Sequence, residues 1–208
     1  MRVLAIETAS EACSVALFEG QSLVAGDHQV LGRGHAEHLV PMIGQLPEKG
    51  RAGRILVSLG PGSFTGVRIG LATARALGLA WKAEVLGYPT LQLISEQARL
   101  NHPGAATVCV NGGHGEWFVQ NFSASGETQG DWHALTPEQA ASFPVHEIVA
   151  GNRASECRAL LGGERLAFAT LPDARHALRL PASCLSGDLR PIYGRAPDAM
   201  PQATLAAS

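Results

Sequence analysis

Gly66, Gly70, Ala74 and Gly78, small residues at every fourth position, constrain this chain more than any other feature. They lie in VSLGPGSFTGVRIGLATARALGLAW, Val57–Trp81. A short apolar strand at Ile55–Leu59 stops at Gly60-Pro61-Gly62, and a helical pattern starts directly after it. Ser63 or Thr65 can cap that helix by accepting from an orphan N–H of the first turn. Small residues four apart form a stripe along one side of a helix. Each helix-interior glycine costs roughly 1 kcal/mol relative to alanine, so three of them imply the close approach of another backbone. Val67, Ile69, Leu71, Leu77 and Leu79 cover the other side, with only Arg68 and Arg75 charged. A helix so apolar all round is buried over most of its surface, and a second protein is expected to supply part of that burial. A glycine-rich turn into a helix N-terminus can also hold a phosphate. Neither the Lys-Ser/Thr of a P-loop nor a GxGxxG fingerprint is present, which favours a tight turn and close packing.

The 208 residues suit one large domain or two small ones, and 46% hydrophobic against 16% charged residues is ample for a core. The net charge is −2 and no run of Lys or Arg occurs, which argues against a nucleic-acid grip by this chain alone. Cys13, Cys109, Cys157 and Cys184 lie far apart without a CxxC pair, a usage that fits a reducing cytoplasm. The opening MRVLAIETAS turns polar too soon for a secretory leader, and the long helix is too interrupted for a membrane span. The expectation is a cytoplasmic protein without membrane association.

In chain order, Arg2–Glu7 reads as a buried strand, Thr8–Glu11 as a turn and Cys13–Phe18 as a second strand, so the chain opens on a hairpin. A third strand is expected around Leu23–Leu31. His35–Leu46 is helical, with Leu39, Met42, Ile43 and Leu46 on one face and Pro41 expected to kink it or delay its start. Strand Glu84–Gly87 and a helix from Pro89 to about Leu100 follow. Asn101-His102-Pro103-Gly104 is the best linker, dividing residues 1–100 from a second subdomain at 101–195. There, strands Thr107–Asn111 and Glu116–Phe122 flank the turn Gly112–Gly115. A helix near Pro137–Ser142, strand Glu147–Ala150 and helix Ala154–Leu161 come next. A hairpin thus precedes α/β units in both halves, the pattern of a duplicated fold. Residues 181–193 read as compact and 196–208 as a loose tail.

Catalytic sets are thin. Glu7, Glu11 and Glu37 have no sequence partner that marks an acid/base pair, and no GxSxG elbow exists. His35 and His38 stand three apart, but no third ligand and no HExxH pattern accompany them, so no metal site is assigned. No cofactor is assigned either. An α/β chain with an over-apolar helix and no obvious active site leans toward an interaction subunit.

MRVLAIETASEACSVALF, GHAEHLVPMI, GPGSFTGVRIGLATARALGLA and the closing RPIYGRAPDA together resemble the bacterial TsaB family. The resemblance is strong over residues 1–95 and weak beyond, apart from the RPIY. It implies an actin-like ATPase (ASKHA) fold of two ribonuclease-H-like subdomains. It further implies a non-catalytic dimerisation subunit of the tRNA threonylcarbamoyladenosine machinery, which pairs with a TsaD-like catalytic subunit alongside a TsaE-like ATPase, forms a homodimer when alone and meets tRNA only through the complex. The metal-holding HxxxH of the catalytic paralogue falls on Val85–Ile94, which contains no histidine. In such a fold the first hairpin wraps a nucleotide phosphate beside an acidic strand end, which makes Glu7, Thr8, Gly112 and Gly113 candidate cofactor contacts. Pairing through the two N-terminal helices implies an interface of His35, Leu39, Met42, Ile43, Leu46, Phe64, Gly66, Arg68, Gly70 and Ala74. A bulky residue at Gly70 is then expected to weaken pairing and leave the fold intact. Two departures stand out: Gln45–Arg54 is short for the family, and Asn111-Gly112-Gly113 replaces the Asp-Ala-Arg of many members. The competing readings are a nucleotide-dependent kinase or hydrolase using Glu7, and a metallopeptidase-like protein.

Overall fold

The computed structural model describes residues 1–194, so the expected tail at 196–208 lies outside the described residues. The chain opens on an antiparallel meander of β1 (Arg2–Glu7), β2 (Ala12–Glu19) and β3 (Ser22–Val30). α1 (His35–Gln45), β4 (Arg54–Ser58), α2 (Phe64–Trp81) and β5 (Glu84–Tyr88) complete the first unit. Its sheet runs β3-β2-β1-β4-β5, with β4 parallel to both β1 and β5. α3 (Thr90–Asn101) leads to a second meander of β6 (Ala106–Gly113), β7 (Glu116–Phe122) and β8 (His133–Leu135). α4 (Pro137–Ala140), β9 (Ile148–Ala150), α5 (Ala154–Leu161) and β10 (Leu166–Phe168) follow. The second sheet runs β10-β9-β6-β7-β8, the first sheet's order repeated strand for strand.

Strand alternation explains how the sheets stack, because successive side chains point to opposite faces. Leu4, Ile6, Val15, Leu17, Ile55 and Val57 face α1 and α2, where they meet Leu39, Ile43, Val67 and Leu71. Their neighbours Val3, Ala5, Ala16, Phe18 and Leu56 face the other way, toward Leu93 of α3. Leu91, Ile94 and Ala98 of α3 pack on Val108, Val110, Phe118 and Phe122 of the second sheet. Cys109, Trp117, Val119 and Val149 on its far face pack against α4 and α5. α3 is therefore the layer shared by both sheets.

After β10 the chain returns to the first sheet, and Ala174, Ala177 and Leu180 pack beside Val3, Ala5 and Phe18. Ser186 then forms an antiparallel bridge with Gly87 on the edge strand β5.

Several elements differ from expectation. β8 and β10 are three residues long, too short to register as an alternating pattern. α4 is a single turn closed by a reciprocal Thr136–Gln139 capping box. α1 begins at His35 and carries the exposed Pro41 within it, so the proline does not delay its start. In α3 every residue from Thr90 to Ala98 is buried, five of them polar: Thr90, Gln92, Ser95, Glu96 and Gln97. Sheets on both sides leave this stretch no solvent face, and only the helix end at Leu100 and Asn101 is exposed.

Candidate functional site

The small-residue stripe of α2 meets the first hairpin turn. Ser63 caps the helix by accepting from the Gly66 N–H at 3.1 Å, while its own N–H donates to Ala9 O at 2.7 Å. The Thr8 hydroxyl donates to Gly66 O at 2.8 Å. A Cβ at Gly62 would be driven into the Ala9 carbonyl oxygen, one at Gly66 into the Thr8 carbonyl oxygen, and one at Gly70 into Thr8 Oγ1. At Gly78 it would strike Val85 of β5. The close backbone approach implied by the glycines is thus made within the chain. The expectation that a bulky residue at Gly70 spares the fold is corrected, since that position is closed by Thr8.

The expected interface residues divide accordingly. His35, Leu39, Met42, Ile43 and Leu46 are buried in the chain's own core, as are Gly66, Gly70 and Ala74. Their side chains face β1, β2 and β4 because α1 and α2 bury their most apolar faces against the sheet. His35 braces the first turn, its Nε2 lying 2.9 Å from Ser10 O and 3.2 Å from Ala12 O. Phe64 and Arg68 remain exposed. The outward faces of the two helices carry residues that the periodicity did not single out: Val40, Pro41 and Gly44 on α1, and Ala72, Ala76 and Leu79 on α2. Val40 is 60% and Leu79 85% exposed, an apolar display on two adjacent helices.

The turns of the two hairpins, Ala9–Glu11 and Asn111–His114, line a cavity of about 660 Å³ between the sheets. Gly112 and Gly113 line it as expected residues, but Glu7 and Thr8 do not and are fully buried. Burial pushes the Glu7 carboxyl up to about 7, against the pull of the Ala9 N–H and the Ser58 and Tyr88 hydroxyls. Its Oε1 accepts from Ala9 N at 2.7 Å, and Tyr88 Oη lies 3.3 Å from Oε2.

The carboxylate that does reach the cavity is Glu11. It accepts from Asn152 Nδ2 at 2.8 Å, and Asn152 Oδ1 in turn accepts from the Asn111 N–H at 2.9 Å. This chain of bonds joins the two hairpins through Asn152, 141 residues from Glu11, which no local pattern could signal. No Lys or Arg is among the described residues lining the cavity, whose floor is Ile94, Val110, Phe118 and Leu171. Such a lining supplies neither cations for a polyphosphate nor a second carboxylate beside Glu11 for acid/base work.

Tyr193 of the closing RPIY motif lines one wall. Ile192 N donates to Leu59 O at 2.7 Å, and Arg75 Nη2 donates to Leu189 O at 2.9 Å. Arg68 stacks 3.5 Å above the Phe64 ring and donates from Nε to Tyr193 Oη at 3.1 Å. The two arginines of α2 therefore fasten the C-terminal segment along the helix.

Comparison with known proteins places these features. The family model described as TsaD, tRNA N6-adenosine threonylcarbamoyltransferase, matches residues 29–163. The tRNA threonylcarbamoyladenosine biosynthesis protein TsaB of Escherichia coli K12 is 33% identical over 144 residues, 66% of this chain and 61% of that protein. The Haemophilus influenzae protein of the same name is 31% identical over 104 residues, 47% of this chain and 43% of its own length. The chain thus spans about three fifths or less of these curated relatives. Among solved structures, YeaZ from Pseudomonas aeruginosa superposes with a TM-score of 0.77 at 24% identity, covering 92% of this chain and 99% of that one. A second Pseudomonas aeruginosa protein, described as similar to peptidase YEAZ, gives 0.72 at 25% identity over 86% and 89%. With the two mixed five-stranded sheets, these likenesses make the fold an α/β fold of the actin-like ATPase (ASKHA) type.

Proposed function

Because this chain belongs to the TsaD family, as a TsaB family member, we propose that it is a non-catalytic partner subunit in the formation of tRNA N6-threonylcarbamoyladenosine. In this reading it acts in the cytoplasm, binds a TsaD-like catalytic subunit, is joined by a TsaE-like ATPase and pairs with itself when alone. It meets tRNA only through the complex. Residues 1–100 form the subdomain that pairs, and residues 101–195 the second.

The observation that carries the reading is the cavity lining. Its carboxylate Glu11 is engaged by Asn152, and no cation stands among the described lining residues. What the chain offers instead is the outward face of α1 and α2, where Val40 and Leu79 have no apolar cover. Phe64, which lines the cavity, is exposed on α2 with Arg68 stacked over its ring. Apolar residues displayed on adjacent helices suit a helix pair from another subunit.

Association with the TsaD-like subunit tests this. Leu79→Asp and Val40→Asp are expected to weaken it by at least about tenfold each. Leu160→Asp, at an exposed position on α5, is expected to leave it unchanged. Equal affinity for all three variants and the parent would remove this surface from the proposal.

A further inference from the structure

Residues 189–194 run along α2 toward its N-terminus and end on the floor of the cavity. Arg75 donates to Leu189 O at 2.9 Å, and Arg68, nearer the helix start, donates to Tyr193 Oη at 3.1 Å. Tyr193 also packs on Phe64, the first residue of α2, with ring centroids 5.0 Å apart. Gly194 then crosses the Phe118 ring so closely that a Cβ there would collide with it. The absence of a side chain is what lets the backbone pass at that height. Tyr193 and Gly194 both line the cavity, so Arg195 follows directly from the cavity wall.

The cavity and the sequence beyond Gly194 are complementary. The floor of Ile94, Val110, Phe118 and Leu171 is apolar, and Glu11 is the one carboxylate among the described lining residues. Glu11 meets Asn152 through Oε1, and a carboxylate has a second oxygen to offer. In RAPDAMPQATLAAS the only cation is Arg195, the first residue of the segment. Ala196, Pro197, Ala199, Met200 and Pro201 follow, interrupted by Asp198 alone. The two prolines have no N–H, so an extended run through them brings few backbone donors that an apolar floor would leave unpaired. Residues 195–200 reach at most about 20 Å. A volume of about 660 Å³ is ligand-sized and suits a short run of residues.

We propose that residues 195–201 occupy this cavity, with Arg195 paired to Glu11 and Met200 on the floor beside Phe118. Asp198 is then left to the polar turn Asn111–His114 on the opposite rim. The space between the sheets is filled by the chain itself, and a small molecule enters only when the segment leaves. This inference is independent of which subunit the outward faces of α1 and α2 bind.

Methyl spectra of the full chain, labelled at methionine, test it. The three methionines are Met1, Met42 and Met200, and Met200→Leu identifies the third signal. Met1 is 69% exposed and serves as the free reference. The Met200 methyl is expected upfield of Met1, with nuclear Overhauser contacts to the Phe118 ring and the Ile94 methyls. Arg195→Glu, which sets a second carboxylate against Glu11, is expected to lower the ratio of seated to free segment at least about fivefold, while Arg195→Lys keeps it. A Met200 methyl with the shift of Met1 and no such contacts overturns the proposal. So do contacts that fade on about tenfold dilution, which would make a second copy the occupant. Contacts to the outward faces of α1 and α2, or contacts that Arg195→Glu leaves unchanged, overturn it as well.

Discussion

At the scale of single residues, backbone proximity and proton placement decide what can be changed. Gly66 is closed by the Thr8 carbonyl oxygen, so Gly66→Ala is expected to lose about 3 kcal/mol or more in a denaturant titration. Gly44, also within a helix, has nothing near its missing Cβ, and Gly44→Ala is expected to gain up to about 1 kcal/mol in the isolated chain. The small-residue stripe was legible in the sequence, but its partner was not. Periodicity shows that a helix face must meet a backbone, and both the Thr8–Ala9 turn and a second subunit satisfy that demand. The same ambiguity assigned His35, Leu39 and Ile43 to an interface when they fill the core under α1. Glu7 carries a pH dependence with a definite sign. Its carboxyl is raised from 4.5 to about 7, so in that window the folded chain keeps a proton that the unfolded chain has released. Stability is full below about 4.5, falls as pH rises and levels off above about 7, a loss of about 3 kcal/mol. Glu7→Gln should flatten that part of the stability curve, which unfolding titrations at stepped pH would read directly.

Among the elements, α3 shows most plainly why a sequence pattern can mislead. TLQLISEQARLN is predicted only as a helix, and its polar Gln92, Ser95, Glu96 and Gln97 are all buried between the sheets. Two of these side chains satisfy main-chain groups. Gln92 donates to Gly126 O at 2.7 Å. Gln97 accepts from Asp173 N at 2.8 Å and donates to Leu171 O at 3.0 Å, tying the returning segment to the helix. Gln97→Ala leaves the Asp173 N–H unpaired, while Leu171 O keeps the Thr170 hydroxyl at 3.2 Å, and is expected to cost about 2 kcal/mol. Among the described residues Ser95 Oγ has no hydrogen-bond partner, and Ser95→Ala is expected to be neutral or slightly stabilising. Equal losses for the two variants in thermal unfolding would contradict this division. Strands β1, β2, β4, β6 and β7 were legible because each carries an apolar run between turn residues. β8 and β10 are held in register by their neighbours β7 and β9, and three residues carry no period of their own.

For the whole molecule, the duplicated sheet order was foreshadowed by the two hairpins, while the link across the cavity was not. Glu11 and Asn152 become partners only because α3 stacks the sheets face to face, so the cavity's character could be read only from the fold. That character, together with the outward faces of α1 and α2, supports a subunit that acts by binding. Reconstitution tests the claim most directly. The purified chain is combined with the TsaD-like subunit, the TsaE-like ATPase, threonylcarbamoyl-adenylate and unmodified tRNA, and each component is then omitted in turn. The account predicts that modified adenosine forms only when this chain is present, and that the chain alone turns over neither ATP nor the adenylate. Undiminished modification without the chain, or turnover by the chain alone that Glu11→Ala abolishes, would contradict it.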